Sequence, residues 1–517
     1  MRFIFSMSMV VLCACGGGDA ERLSDYTLRI TPRVLDGQDP FGGGATVKLW
    51  LQEPAQEPMV TFLGEASGSP ELGEQPPVAA GSTVALLVED GGADDGDWSP
   101  TALQAWGGTT LSEALGSGTG EVALTVTVAS SYEVGALDRL GNAKLTMKSG
   151  TAVLPSGEVL LFGGTSDQDS SGNETDRILR MGDINGDDWS FSNMSAKLPS
   201  ARAGCSATTV EVGGRTLVFV AGGGLRTGET YSNEDHSTWA GLYDPESDAF
   251  VWDKPKALSQ GMSDHTAVRM ANDNVLLVGR APTFVNEVAA FELFDPDSER
   301  VVASGELEGL GAHGLMAASL GLDGALVCGG AMISDANFDL PLEPLDGCVR
   351  IDLQGTVREA ESLPTPTALG SMVGLSDGSV LLTGGLVTAL NETITVAASS
   401  QAKLYASGTW SDVGPLEVPR SHHRSIPMHD GGAMLIGGAE ESGLWRADND
   451  VPVQCAERFD PAGKSFEQVG CNGAGSGAEP SVAWWPGRGA FVLEGWSTES
   501  GSAEGGALYG WVGMGPE

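Results

Sequence analysis

The stretch Thr151–Gly164, TAVLPSGEVLLFGG, decides the fold of this chain. It contains a short apolar run, a turn with Gly157, a second apolar run and a glycine pair. Two such runs around a Gly-containing turn predict a tight β-hairpin, and the glycine pair marks the end of its second strand. A single hairpin is marginally stable in water because it cannot bury its own apolar face. The stretch therefore needs partners of the same kind.

Further copies of this hairpin follow along the chain at a period of about fifty residues. Close copies are GSMVGLSDGSVLLTGG, ending at Gly385, and SIPMHDGGAMLIGG, ending at Gly438. Looser copies end at Gly223, Gly279, Gly330 and Gly495. A regular repeat of this length predicts a radial array, in which each unit buries its apolar face against its neighbours.

A second motif follows the hairpins and predicts an outer pair of strands. Three copies read aromatic–Asp–Pro, at Tyr243-Asp244-Pro245, Phe294-Asp295-Pro296 and Phe459-Asp460-Pro461. An apolar residue follows seven positions after each aromatic residue, at Phe250, Val301 and Phe466. Asp-Pro favours the start of a turn, because the Asp side chain accepts backbone hydrogen bonds and Pro fixes φ. We therefore expect a hairpin at each of these sites.

Together with linkers such as LPSAR (198–202), these motifs resemble the kelch repeat over about residues 136–517. The resemblance implies an all-β, kelch-type β-propeller, with four-stranded blades around a central channel. Glycine would let the blade strands approach closely near the axis. Seven blades are predicted, and six stay open because Gly279-Arg280 and Gly495-Trp496 replace the glycine pair. One strand follows the last hairpin, so we expect residues 135–147 to complete the last blade.

The segment before the repeats predicts a separate domain. Residues 26–131 lack the glycine pair and carry about six short strand-like runs with turn signals between them. This pattern predicts a small β-sandwich, resembling immunoglobulin-like or transthyretin-like modules.

The N-terminus predicts export. Met1–Cys15, MRFIFSMSMVVLCAC, has one Arg and an apolar run too short to span a bilayer, as in a secretory signal peptide. Leu12-Cys13-Ala14-Cys15 resembles the bacterial lipobox, which implies a lipoprotein signal peptide over residues 1–14 and a lipidated Cys15. Residues 15–25 would then form a flexible tether. The alternative is an ordinary signal peptide cut elsewhere.

The net charge limits the kinds of partner that the chain can bind, and the cysteines bear on the compartment in which it folds. The formal net charge of −41, from 69 acidic and 28 basic residues, repels phosphate backbones and argues against nucleic-acid binding. The acidity keeps the chain soluble or attracts cations such as calcium. Disulfides persist outside the cytoplasm, and we predict the pairs Cys328–Cys348 and Cys455–Cys471, with Cys205 a buried, inert thiol.

Candidate contact residues lie on one face of the expected propeller. The loops after the glycine pairs are long and polar, at 165–176, 225–239 and 440–450, and binding residues concentrate in such loops. Trp239, Trp445 and Arg446 are the predicted contact residues; the alternative is that these loops have no role in binding. The predicted starts of inner strands carry the histidines His265, His313 and His423, with His422 beside the last. They converge on a ligand site or serve packing.

These features predict a noncatalytic binding module for a protein or glycan, without cofactor or metal. The chain would be a monomer in the outer membrane, on its periplasmic side or the cell surface, held by the lipid anchor alone. The alternative is a carbohydrate-active oxidase or hydrolase with its site on the long-loop face. A copper oxidase resembling galactose oxidase would need a Tyr-His pair, and none of the six tyrosines precedes a histidine.

Overall fold

The computed structural model describes a defined part of the 517-residue chain. The described residues are 26–34, 41, 45–52, 59–65, 82–89, 103–110, 120–130, 135–137, 148–155, 158–165, 174–181, 191–224, 226–227, 230–231, 238–279, 288–332, 343–390, 394–428, 430–440, 453, 455–469, 481–485, 489–493 and 509–513. Over these ranges no helix is long and apolar enough to cross a bilayer. The signal peptide, the tether and Cys15 lie outside the described residues.

The described part of the chain is nearly all β. Its strands are β1 Tyr26–Val34, β2 Thr46–Gln52, β3 Met59–Glu65, β4 Thr83–Glu89, β5 Leu103–Thr110, β6 Gly120–Ser130, β7 Gly135–Leu137, β8 Gly150–Val153, β9 Val159–Phe162, β10 Arg177–Met181, β11 Phe191–Lys197, β12 Ala203–Val212, β13 Arg215–Gly224, β14 Arg226–Thr227, β15 Thr230–Tyr231, β16 Ala240–Asp244, β17 Ala249–Lys254, β18 Thr266–Arg269, β19 Val275–Gly279, β20 Val288–Asp295, β21 Arg300–Gly311, β22 His313–Ser319, β23 Ala325–Met332, β24 Glu343–Pro344, β25 Cys348–Ile351, β26 Val357–Glu359, β27 Ser371–Gly374, β28 Val380–Thr383, β29 Leu386–Leu390, β30 Ile394–Ala398, β31 Ala402–Ala406, β32 Thr409–Asp412, β33 Arg424–Pro427, β34 Ala433–Ile436, β35 Ala456–Asp460, β36 Ser465–Val469, β37 Ser481–Trp485, β38 Gly489–Leu493 and β39 Tyr509–Gly513. Among the residues that the structure describes, one 3-10 turn, Gly321–Asp323, lies between β22 and β23.

The first six strands pair in the order β1-β6-β5-β4-β2-β3. Strand β6 runs parallel to β1 along most of its length and pairs with β5 only at Ala129 and Ser130. Alternate residues of β2 and β4, such as Val47, Leu49 and Leu86, share one buried cluster with residues of β1 and β6. The six strand-like runs predicted in this segment thus form strands around a common core.

Most of the remaining described strands form seven antiparallel sheets of at least four strands each, consistent with a β-propeller, and β14-β15 and β29-β30 form two separate two-stranded sheets. We number these sheets one to seven in chain order. From the innermost strand outward they are β8-β9-β10-β11, β12-β13-β16-β17, β18-β19-β20-β21, β22-β23-β25-β26 with β24 attached to β23, β27-β28-β31-β32, β33-β34-β35-β36, and β37-β38-β39-β7.

The first strands of these sheets lie side by side. Contacts run from β37 to β8, then to β12, β18, β22, β27 and β33. The seventh sheet takes its outer strand from the start of the repeat region, since Gly135–Leu137 pairs with Tyr509–Trp511. Of the segment 135–147 predicted to supply the missing outer strand, residues 135–137 therefore pair as expected, and residues 138–147 lie outside the described part.

The glycine pairs join each sheet to the next one. Gly163 has φ +65°, and a Cβ on it would lie 2.5 Å from the carbonyl oxygen of Arg202 in the linker to the second sheet. The N–H of Gly164 donates to that same carbonyl at 2.7 Å. Equivalent contacts join Gly222 and Gly223 to Met262, Gly329 and Gly330 to Thr367, and Gly384 and Gly385 to Arg420. The close approach that requires glycine is made to the neighbouring sheet.

The outer hairpins form as the aromatic–Asp–Pro motif predicts. The residues seven positions apart are cross-strand partners, in the pairs Tyr243–Phe250, Phe294–Val301 and Phe459–Phe466. The Asp side chain holds each turn: Asp244 accepts the N–H of Glu246 at 3.1 Å, and Asp460 accepts that of Ala462 at 3.0 Å. The motif therefore fixes both the turn and the register.

The cysteines follow the prediction as far as they are described. Cys328 and Cys348 form a disulfide between β23 and β25. Cys205 is free and buried. Cys455 is disulfide-bonded, whereas Cys471 lies outside the described residues. The pairing Cys455–Cys471 stays a prediction.

Candidate functional site

A cavity of about 370 Å³ lies where the first strands of six sheets begin. Its wall consists of residues 148–151, 204–208, 264–267, 314–317, 369–372 and 422–424. The cavity is at the end of the sheets where the loops after the glycine pairs leave, since Gly150 at the start of β8 pairs with Phe162 at the end of β9. It therefore lies on the face that the sequence predicts for binding.

A belt of left-handed residues surrounds this cavity. Each of the six wall segments begins with or contains one residue of positive φ, between +48° and +68°, at Lys148, Gly204, Asp264, Gly314, Leu369 and His422. Backbone hydrogen bonds connect several of them from sheet to sheet. Gly204 donates to Lys148 at 2.8 Å, and Asp264 donates to Gly204 at 3.0 Å. Because these bonds are between backbone groups, the cavity wall is preformed.

Three charged side chains contribute to the wall. The Lys148 ammonium lies 3.4 Å from the carboxylate of Asp264, so that the first and third sheets are linked across the wall. Arg424 begins β33 and is exposed. In the described part of the chain its guanidinium has neither a hydrogen bond nor an ion pair, and the wall therefore carries one uncompensated positive charge.

His265 spans the junction between the second and third sheets. Its Nε2 lies 2.8 Å from Ser206 Oγ. Its ring lies over Gly222, where a Cβ would come within 2.8 Å of the imidazole. Burial lowers the pKa of His265 to about 4, so the imidazole is neutral near pH 7. The other ring nitrogen, Nδ1, is buried without a hydrogen-bond partner among the described residues.

His423 occupies the same place in the sixth sheet. Its Nε2 lies 2.8 Å from Thr383 Oγ1, and its ring lies over Gly384 as that of His265 lies over Gly222. His423 is 2% exposed, and burial lowers its pKa well below the usual range. The two imidazoles therefore share one structural task, which is to fill the junction over a glycine. Their ligand role stays a prediction.

His313 does not occupy that place. It lies one residue before Gly314 of the belt, whereas His265 and His423 each follow a belt residue. His313 is 8% exposed, and burial lowers its pKa to about 4. The expectation that the three histidines are equivalent is correct for His265 and His423 and wrong by two positions for His313.

The predicted aromatic contacts fall elsewhere. Trp239 is 4% exposed, packs edge-on against Phe250 and lies under the guanidinium of Arg202. It therefore belongs to the core between sheets, and this burial argues against the predicted role of Trp239 as a contact residue on the long-loop face. The polar loop predicted over 225–239 ends before this position, because Trp239 directly precedes β16. Trp445 and Arg446 lie outside the described residues.

The sequence reasoning missed Arg424. An alignment of the six wall segments would have found it, because the corresponding positions are Gly150, Ser206, Thr266, Met316 and Ser371. Among the residues that the structure describes, no group of three or more His, Cys, Asp or Glu side chains could hold a metal ion.

The sequence matches no family model and no curated protein. A solved structure titled "Structure of YjhT" is similar to it at 15% identity, over 64% of this chain and 99% of that chain, with a TM-score of 0.43.

Proposed function

We propose that residues 136–517 form a seven-bladed, kelch-type propeller and that residues 26–131 form a small β-sandwich. Three features support the propeller: the first strands lie side by side, glycines contact the neighbouring sheet, and β7 pairs with β39 to complete the seventh sheet. The core that β1 and β6 share with β2 and β4 supports the sandwich. The kelch repeat itself rests on the motifs of the sequence.

The chain is an exported lipoprotein with its lipid on Cys15, in the outer membrane on its periplasmic side or at the cell surface. The disulfide between Cys328 and Cys348 supports an oxidising compartment. Replacing Cys15 by Ser should release the chain from the membrane fraction. Retention of the variant in that fraction would exclude the anchor.

The propeller is a noncatalytic binding module that takes the end of a glycan into its axial cavity. The observation that carries this proposal is the preformed wall of about 370 Å³ built by six sheets. Ligand sites for small molecules span about 300–1,000 Å³, whereas stable protein interfaces need about 1,200–2,000 Å² of buried surface. A recessed cavity therefore favours a glycan end over a protein surface.

The test is a glycan array probed with the purified full-length chain and two variants. Thr208→Trp places a large ring on the cavity wall, and Thr409→Trp places the same ring at an exposed outer turn. We expect glycan binding by the wild type and by Thr409→Trp, and its loss in Thr208→Trp at unchanged melting temperature. Capture of an envelope protein that persists in Thr208→Trp would instead place binding outside the cavity.

A hydrolase is the second candidate, and one contact favours it. Ser206 and His265 lie on the cavity wall at hydrogen-bond distance, as a nucleophile and its base would. The same contact between Thr383 and the buried His423 favours a structural role for both pairs. Hydrolysis of acetylated sugars that is abolished in Ser206→Ala would establish the enzyme.

A further inference from the structure

We propose that the ligand of the axial cavity carries a carboxylate and that Arg424 binds it. This inference rests on the proposed cavity function and adds the chemical class of the ligand, an acidic sugar. Three features of the molecule support it: the position of Arg424 in the repeat, the lack of a described partner for its guanidinium, and the charge of the surrounding wall.

Arg424 departs from the repeat without serving the fold. At the corresponding wall positions, Ser206 contacts His265, Thr266 donates to the carbonyl of Leu315 at 3.0 Å, and Ser371 accepts the N–H of Ser425 at 2.9 Å. These hydroxyls join one sheet to the next. Arg424 makes no such bond within the described part, so its side chain is available for a ligand.

Several other arginines of the described sheets have acidic partners. Arg180 pairs with Glu158, Arg458 with Asp430 and Arg420 with Glu457. In a chain of net charge −41, with 69 acidic residues, an exposed guanidinium in a cavity without a carboxylate beside it is unusual. The sequence keeps a positive charge there that no described contact uses.

The cavity wall favours an anion over a cation. Its charged groups are Lys148, Asp264 and Arg424, and Lys148 compensates Asp264. The imidazoles of His265 and His423 carry no charge near neutral pH. A guanidinium binds a carboxylate through two parallel hydrogen bonds, which selects planar anions over neutral hydroxyls.

The experiment compares two sugars of similar size by calorimetry on the full-length chain. Galacturonate carries a carboxylate where galactose carries a hydroxymethyl group. We expect galacturonate to bind at least tenfold more tightly than galactose. Arg424→Gln should weaken galacturonate binding about tenfold to a hundredfold and leave galactose binding unchanged.

The matched control is Arg300→Gln. Arg300 is likewise exposed and unpaired among the described residues, but it begins the outer strand β21. Its replacement should leave both affinities unchanged, and both variants should keep the melting temperature of the wild type. An Arg424→Gln variant that melts earlier would assign the arginine to the fold and overturn the proposal.

Equal affinity for the two sugars, no binding of galacturonate, or undiminished binding by Arg424→Gln would also overturn the carboxylate proposal. The proposal that the cavity binds a glycan can be tested independently of the carboxylate proposal. If neutral glycans bind and Thr208→Trp abolishes that binding while Arg424→Gln does not, the cavity is the site and the ligand is neutral. If Thr208→Trp leaves glycan binding unchanged, both proposals are wrong.

Discussion

The third and sixth sheets each carry a buried glutamate at the same position of the repeat, but only the sixth sheet places a positive charge beside it. Glu292 and Glu457 each lie two residues before the aromatic residue of the aromatic–Asp–Pro turn, and both are 0% exposed. In the sixth sheet the guanidinium of Arg420 pairs with Glu457. In the third sheet the residue that corresponds to Arg420 is Met262, which offers no charge.

Both carboxylates hold the linker that leads into their sheet. Glu457 accepts the N–H groups of Glu417 and Val418 at 2.8 and 3.1 Å. Glu292 accepts those of Ser259 and Gln260 at 2.8 and 3.0 Å through one oxygen. The other oxygen of Glu292, Oε2, is buried without a hydrogen-bond partner among the described residues. Each linker therefore has a buried carboxylate that accepts its N–H groups, whereas only the sixth sheet adds a cation, Arg420, beside that carboxylate.

The largest effect should come from removing the cation of the sixth sheet. Arg420→Met copies the third sheet and leaves Glu457 buried without its ion pair. Breaking a buried pair on one side costs about 3–5 kcal/mol, so urea unfolding should show a loss of that size. The double variant Arg420→Met with Glu457→Gln should recover part of the loss. A loss below about 1 kcal/mol would mean that water replaces the guanidinium.

The next effect should be equal at the two junctions. Gly222 precedes the third sheet and Gly384 precedes the sixth, and a Cβ on either would lie within 2.3 Å of a carbonyl oxygen. Both have positive φ, so Ala at either site should cost about 2–3 kcal/mol in urea unfolding. A clear difference between the two variants would show that the ion pair, rather than the glycine contact, controls the junction. Gly408→Ala, at an open outer turn with φ +90°, controls for backbone strain alone.

The pH dependence should separate the two glutamates. Burial raises the pKa of the Glu292 carboxyl in the folded chain, although its hydrogen bonds oppose the shift. The folded state then holds a proton that the unfolded state releases, so stability falls as pH rises above the usual glutamate pKa. In Glu292→Gln this decline should disappear, with a gain of about 1–2 kcal/mol at pH 8.

Thermal unfolding from pH 4 to 8 measures this difference, and Glu457→Gln is the matched control. That variant should lose stability, since it leaves Arg420 without its carboxylate. If Glu292→Gln and the wild type show parallel pH profiles, Glu292 is ionised in the folded chain and the contrast between the two sheets is wrong.

Much of this fold could be predicted because its signals are local. Tyr243 and Phe250 are seven residues apart, and a turn of known length makes them partners in any context. The pairing of β7 with β39 could be predicted by counting strands. The burial of Trp239 could not be predicted in this way, because it depends on Arg202, a residue about forty positions away. Arg424 was missed for a related reason, since its lack of partners is a property of the folded wall.

The smallest effect should distinguish the two imidazoles at these junctions. Ser206→Ala and Thr383→Val each remove the hydroxyl that contacts an imidazole Nε2. His265 is half-buried at the cavity wall and can recover a bond to water, so Ser206→Ala should cost less than about 0.5 kcal/mol. His423 is 2% exposed, so water cannot replace the lost hydroxyl, and Thr383→Val should cost about 1–2 kcal/mol. Equal losses in urea unfolding would mean that His265 is as dry as His423, which would argue against a wet axial cavity at that wall.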